Sequence, residues 1–218
     1  MSNGTNVRKR SGSIESLDLN KMHKIVDEAC KDLAGVSASQ VEINSGIQFY
    51  DGITTAEIQE ILIKSASDLI ELESPNYQFV AARLLLFGVR KKLWGRIHEA
   101  PSLGNHITKC IREGVYDPHF TSKYTDQEID ELDSYIDHDR DYLFTYAGLR
   151  QVTDKYLVQD RSTGDLYETP QFMYIMIAAT MFSEYPQETR LDYVKRYYDA
   201  ISRHRILSLI HISEPTRP

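Results

Sequence analysis

The feature that most constrains this fold is a series of apolar stripes at helical spacing, each opened by residues that can cap a helix. Met22, Ile25, Val26, Ala29 and Leu33 share one helical face, and the helix they define starts near Asp18 to Asn20, with Gly35 as its stop. Ser37 to Gln40 reads as a capping box for a second helix, which ends around Phe49-Tyr-Asp-Gly52. Thr54 to Glu57 is another such box. Ile58, Ile61, Leu62 and Leu69 give the third helix its apolar face. Ser74-Pro75 opens a fourth, since proline is tolerated in a first turn, and Phe79, Ala82, Leu86, Val89 and Leu93 form its inner stripe.

Ahead of these helices, residues 5–17 predict a β-hairpin. Ser11-Gly12 supplies the turn, because glycine accepts positive φ. Residues 5–95 therefore read as a hairpin plus four helices, and Gly95 to Gly104, with Pro101, reads as a linker. Beyond it the chain stays helical. Thr125 to Glu128 caps one helix, and Asp139 to Val152 predicts another. Tyr156–Val158 and Leu166–Glu168, around Ser162-Thr-Gly-Asp165, suggest a short hairpin. Residues 171–184 form an apolar helix through Phe172, Ile175, Met176, Ala179 and Phe182, and residues 187–204 an amphipathic one through Leu191, Val194, Tyr198 and Ile201. The fold class is mainly α.

Charge narrows the function. The 218 residues carry a net charge of -7, yet residues 1–24 hold five Lys/Arg against two acids, a local +3, so the remainder sums to -10. A basic island on an acidic protein suggests a specific anion pocket and argues against a broad nucleic-acid face. No run approaches the roughly 20 apolar residues of a membrane span, and the first residues, Met-Ser-Asn-Gly-Thr-Asn, carry no apolar signal segment. A cytoplasmic protein is the expectation. Cys30 and Cys110 lack the paired spacing of a zinc site and read as small buried hydrophobes without a disulfide. His138, set among Asp137, Asp139 and Asp141, invites a metal or acid–base reading. The plainer one is a helix-start cluster in which Arg140 pairs with an acid. No metal site is expected.

A triphosphate needs cations and hydrogen-bond donors converging from several elements. Lys9 on the hairpin, Lys21 in the first turn of helix one and Lys91 near the end of helix four supply charge, and Thr55 a hydroxyl at the start of helix three. Glu15 and Asp18 can accept from a base amino group or ribose hydroxyls. Taken singly, each lysine reads as a solvated surface charge and Thr55 as an N-cap residue. No phosphate loop of the Gly-x-x-x-x-Gly-Lys type and no Gly-x-Gly-x-x-Gly is present.

The N-terminal stretch resembles the ATP-cone, the nucleotide-sensing domain at the start of many ribonucleotide reductase large subunits. There a Val-x-Lys-Arg-x-Gly-x-x-Glu hairpin is followed by Asn or Asp and then, three residues on, by Lys. Val7, Lys9, Arg10, Gly12, Glu15, Asp18 and Lys21 match. Five later segments are similar to the class Ia large (α) subunit of ribonucleoside-diphosphate reductase: Ile47–Ile53, Tyr77–Leu84, Ile136–Asp141, Lys155–Val158 and Glu188–Arg196. The resemblance covers about residues 7–202. It implies an allosteric ATP-cone over 5–95, then over 96–206 the helical N-terminal region that precedes a ten-stranded barrel, the barrel itself being absent.

The resemblance also implies roles. Nucleotide contact carries over to Lys9, to Glu15, Ser16, Leu17, Asp18, Leu19, Asn20 and Lys21, and to Thr55 and Lys91. Val7, Met22 and Ile58 would wall the adenine, with Arg10, Gln59 and Gly88 also at the pocket. ATP would activate and dATP inhibit, with Mg2+ accompanying the triphosphate. The radical cofactor would sit on the small (β) subunit, the partner together with further copies of the large subunit, and the chain itself would hold no cofactor. Bacterial members carry His at the positions of Gln59 and Gly88, so weaker dATP inhibition is expected here; they carry Asn at that of Asp18, whose carboxylate would repel a triphosphate unless it faced the ribose or base. After Ile206 the family pattern Ser-Leu-Pro-Thr-Pro is lost. Ile210 stands at the substrate-binding Thr, and residues 207–218 read as a non-native tail. The thiyl-forming and reducing cysteines lie beyond this chain, so no catalytic residue is expected in it. The alternative is a stand-alone, non-catalytic adenine-nucleotide-binding module.

Overall fold

The computed structural model describes residues 5–9, 11–46 and 48–206; Arg10 and the tail 207–218 lie outside them. The chain divides into two compact units. One holds the described residues up to Lys92 together with Phe144–Val152. The other holds Leu93–Leu143 and the described residues from Thr153 onward. Nothing in the apolar pattern signals that Phe144–Val152 joins the first unit.

In the first unit, β1 (Asn6–Arg8) and β2 (Ile14–Ser16) form the expected hairpin, with Asn6 opposite Ser16 and Arg8 opposite Ile14. Gly12, at φ +84°, makes the turn that a β-carbon would strain. A third strand, β3 (Ile53–Thr54), pairs parallel to β1, giving the order β2-β1-β3. The sequence does not announce it, because two residues are too few to show an alternation. Val7 and Ile53 are buried beneath the sheet.

Four helices follow: α1 (Leu19–Cys30), α2 (Ala38–Gly46), α3 (Thr55–Ser67) and α4 (Tyr77–Trp94). α1 ends before Gly35. Arg83 donates to the carbonyls of Ala29 and Lys31, at 3.2 and 2.6 Å, and Asp32 turns the chain at φ +58°. The box expected at Ser37 is rerouted through a distant tyrosine. The Ser37 amide donates to the Tyr77 hydroxyl, at 2.9 Å, and that hydroxyl donates to Gln40. The box at α3 forms as expected, with Thr54 as N-cap and Glu57 closing it, so Thr55 is the first helical residue and not the cap. α4 departs most from its stripe. Tyr77, Val80, Ala81, Leu84, Leu85 and Phe87 are buried along with Ala82 and Leu86, while Phe79, Val89 and Leu93 are only half-buried. A helix apolar on nearly every side is a central one.

In the second unit, α5 (Leu103–Arg112) is capped by Ser102, inside the expected linker. α6 (Phe120–Lys123) precedes α7 (Asp126–Ser134), whose Thr125–Glu128 box forms. The helix expected over 139–152 is two pieces: a 3-10 helix, His138–Leu143, and α8 (Tyr146–Lys155), whose last residues reach into the second unit. Thr145 breaks them, its hydroxyl accepting from the Gly148 amide at 3.2 Å. The hairpin expected at 156–168 reduces to a single bridge, Gln159–Leu166, because Asp160 folds the intervening chain by accepting from the amides of Ser162 and Thr163. α9 (Pro170–Met181) is buried over most of its length, Thr180 and Met181 at its end being exposed, and packs on α10 (Gln187–Ser202). Arg190 on α10 makes a two-point contact with Glu128, at 2.8 and 2.5 Å, and its guanidinium lies 4.4 Å from the Tyr124 ring. No helix among the described residues is long and apolar enough to cross a membrane.

Candidate functional site

The parallel pairing of β1 and β3 organizes the first unit's polar residues. Val7 lies opposite Ile53 and Arg8 opposite Thr54. The next residues, Lys9 and Thr55, therefore leave the sheet side by side. The Lys9 ammonium sits 3.1 Å from the Glu15 carboxylate, across the hairpin. Thr55 stands behind a box that uses the amides of Thr54 and Glu57 and leaves those of Thr55 and Ala56 outside it. Thr54 holds the Glu57 carboxyl below its usual range, first through its amide, and Tyr50 donates to Glu57 at 2.8 Å.

Gln59 lies one turn after Thr55. Its amide donates to the Leu84 carbonyl of α4 at 2.7 Å. A β-carbon on Gly88 would come within 3.2 Å of Gln59 Cγ. The start of α3 thus lies against the end of α4, where Lys91 follows Gly88 by one turn and is exposed. Ile58 is half-buried on the same stretch of α3, whereas Val7, at 4% exposed, belongs to the core beneath the sheet.

The residues Ser16 to Met22 lie at the other end of the hairpin. The antiparallel register brings the Leu17 amide to the Thr5 carbonyl at 2.8 Å, while the Lys9 amide meets Ser13 near the turn. Four residues of strand separate these ends, about 13 Å at 3.3 Å per residue. Asp18 caps α1. One of its oxygens accepts from the amides of Asn20 and Lys21, at 3.0 and 3.2 Å, and the other lies 3.6 Å from the Lys21 ammonium. The Lys21 amide, above all, holds this carboxyl below its usual range. Ser16, Leu19 and Lys21 are exposed, and Leu17 and Met22 half-buried.

The expected site residues thus form two groups. Lys9 and Thr55 follow paired positions of β1 and β3, and Gln59, one turn into α3, contacts Gly88 of α4, with Lys91 a turn beyond it. Glu15 bridges toward the second group, Asp18 to Lys21. Lys21 does not join the cations at the first end. The Asp18 carboxylate, which would repel a phosphate beside it, follows the end of the hairpin opposite the turn that Lys9 precedes. A cationic, hydroxyl-bearing end and a carboxylate-bearing end suit a ligand with phosphates at one extremity and hydroxyls or an amino group at the other. The third strand is the element that sequence reasoning missed. Its two residues, Ile53 and Thr54, read in the sequence only as the lead into a capping box.

The other candidates take structural roles. Arg140 bridges Asp137 and Asp199, at 3.2 and 2.7 Å, and His138 packs edge-on to Trp94 and Phe172. No group of His, Cys, Asp and Glu among the described residues could hold a metal ion. Cys110 is buried and Cys30 half-buried. Neither forms a disulfide, and burial pushes both thiols up to about 11.

Two family patterns match the sequence: the ATP cone domain over residues 5–92 and the ribonucleotide reductase all-alpha domain over residues 142–208. The chain is 52% identical over 200 residues to ribonucleoside-diphosphate reductase 1 subunit alpha of Escherichia coli (strain K12), covering 92% of this chain and 26% of that protein. It is 49% identical over 200 residues to the subunit alpha of Haemophilus influenzae, with the same coverage. Against the subunit alpha of Enterobacteria phage T4 it is 43% identical over 203 residues, again 92% of this chain and 26% of that protein. The chain spans about a quarter of the length of these relatives.

Proposed function

Since this chain belongs to the ribonucleotide reductase large-subunit family and corresponds to its N-terminal quarter, we propose that its first unit is the allosteric module of a ribonucleoside-diphosphate reductase. It binds ATP as activator and dATP as inhibitor. The single observation that carries this reading is the parallel β1–β3 pairing, which sets Lys9 beside Thr55 at the end of the sheet.

In this reading the triphosphate, with its Mg2+, lies against Lys9, Thr55 and Lys91. The adenosine runs along the hairpin toward Glu15 to Lys21, with Met22 and Ile58 as walls. Nucleotide must displace Glu15 from Lys9, and the released carboxylate then accepts from the adenosine. The domains are the ATP-cone over 5–95, the helical region over 96–206 and a non-native tail over 207–218. The complete enzyme reduces ribonucleoside diphosphates in the cytoplasm, together with a radical-bearing small subunit and further copies of the large one. ATP and dATP differ by one ribose hydroxyl. They can drive different assemblies only through different affinity for two states. With Gln59 and Gly88 in place of histidines, dATP inhibits this member more weakly.

Calorimetry on the 218-residue chain tests the binding step. ATP should bind with one-site stoichiometry at the sheet. Lys9→Ala or Lys91→Ala should weaken it roughly tenfold to a hundredfold, the scale of one charged hydrogen bond. Unchanged affinity in both variants would remove the phosphate site from this end of the sheet.

A further inference from the structure

We propose that the second unit carries its own ligand site, for a nucleoside monophosphate, in the cavity between the 95–102 loop and the start of α5. The cavity encloses about 440 Å³, inside the roughly 300–1,000 Å³ range of small-molecule pockets. Three rings line it, those of Trp94, His106 and Tyr167, together with three donors, Arg96, Asn105 and Lys109, and one carboxylate, Glu99.

The local sequence builds this wall. α4 ends at Trp94, and Gly95, at φ +77°, turns the chain. Ser102 starts α5 by accepting from the Asn105 amide. Asn105, His106 and Lys109 then fall on adjacent turns of one face. Glu99 holds a left-handed backbone at φ +50°, a costly conformation for a residue with a side chain, and pairs with Arg96.

His106 is a fixed, uncharged part of this wall. It is 4% exposed, stacks on Phe172 with ring centroids 4.1 Å apart and only 6° between planes, and lies 3.1 Å from the Tyr116 hydroxyl. That hydroxyl donates to Glu168, so its oxygen accepts from His106 Nε2–H. Burial, with the Lys109 charge adding to it, keeps the imidazole neutral.

The charge count selects the ligand. Two cations, one of them already shared with Glu99, are too few for a triphosphate and suit a single phosphate. A lone inorganic anion would meet the Glu99 carboxylate and leave the half-buried Trp94 and Tyr167 rings unused. A ligand that adds an aromatic base and sugar hydroxyls uses both, since bases stack on aromatic side chains with little regard to sequence. No residue of the sheet-end site contributes, so this inference stands or falls apart from the effector reading.

Trp94 is the only tryptophan in the chain, so its emission reports on the cavity directly. The 218-residue chain is titrated with AMP at low salt. The expected result is saturable quenching whose midpoint rises about tenfold in Lys109→Ala. Arg96→Ala, at an exposed position, should act in the same direction, and Lys9→Ala should leave the midpoint within about twofold. Inorganic phosphate should compete far more weakly than AMP. Absence of saturable quenching, equal midpoints in both cavity variants, phosphate competing as well as AMP, or loss of the signal in Lys9→Ala would each overturn the proposal. Calorimetric ATP binding at the sheet end would survive the first three of those failures.

Discussion

Gly88→Ala separates two opposed effects at the joint between α3 and α4. In an ordinary helix interior, replacing glycine by alanine adds about 1 kcal/mol. Here the new β-carbon would stand 3.2 Å from Gln59 Cγ and 3.6 Å from Cδ, tighter than comfortable packing. Gln59 must then retreat by a few tenths of an ångström, which loosens its 2.7 Å bond to the Leu84 carbonyl. Such a bond contributes about 1 kcal/mol net. The two effects nearly cancel, so Gly88→Ala alone should change stability by less than about 0.5 kcal/mol. Once Gln59→Ala has emptied the space, the same substitution should stabilise by the full ~1 kcal/mol. Urea unfolding of the four chains of this double-mutant cycle measures the coupling directly. A gain of about 1 kcal/mol in both backgrounds would mean that Gln59 does not rest on Gly88. The functional consequence follows the same geometry. In the proposed effector site, the shift of Gln59 caused by a side chain at position 88 should change the ratio of ATP to dATP affinity in Gly88→Ala.

Asp18→Asn keeps a residue able to cap α1 but removes the charge. Because Asp18 lies a hairpin's length from Lys9, ATP affinity measured by calorimetry should change by less than about threefold, well under the cost of a charged hydrogen bond; a much larger rise would place the phosphates at the α1 end. The second unit should weaken in acid through His106, whose pKa burial lowers to about 4 from 6.5. Below pH 6.5 the unfolded chain takes up a proton that the folded chain refuses until about pH 4, so stability falls across that window by about 3 kcal/mol, at 1.36 kcal/mol per unit. Glu168 acts in the opposite sense: burial raises its pKa, so it favours the fold as pH falls. The test is therefore the difference between the chain and His106→Gln in urea unfolding at pH 7 and pH 4.5, and equal pH slopes would refute the role given to His106.

The parts of this fold that were legible in the sequence are those whose cause is local. Thr54 with Glu57 and Thr125 with Glu128 are three residues apart, and each pair closes its own box, so the helix starts could be read directly. The Ser11-Gly12 turn is equally local, because φ +84° at Gly12 sets the hairpin without outside help. The failures share a different cause. Ser37 and Gln40 have the spacing of a box, but Tyr77, from a distant helix, takes both partners. α1 stops early because Arg83, more than fifty residues away, holds its last carbonyls. α4 shows no clean stripe because neighbours surround it, and no period survives burial on nearly every side. The candidate site belongs to this second class. Lys9 and Thr55 are chemically ordinary, and each alone reads as a surface charge or a helix start. What joins them is β3, two residues long, docking parallel to β1. The contact between Gln59 and Gly88, which aligns α4 with that end, likewise depends on a side chain meeting a missing one. An anion site assembled this way rests on the sheet's register. A one-residue slip of β3 would turn Ile53 out of the core and carry Thr55 away from Lys9. The complete burial of Ile53 therefore ties the geometry of the site to the stability of the first unit's core.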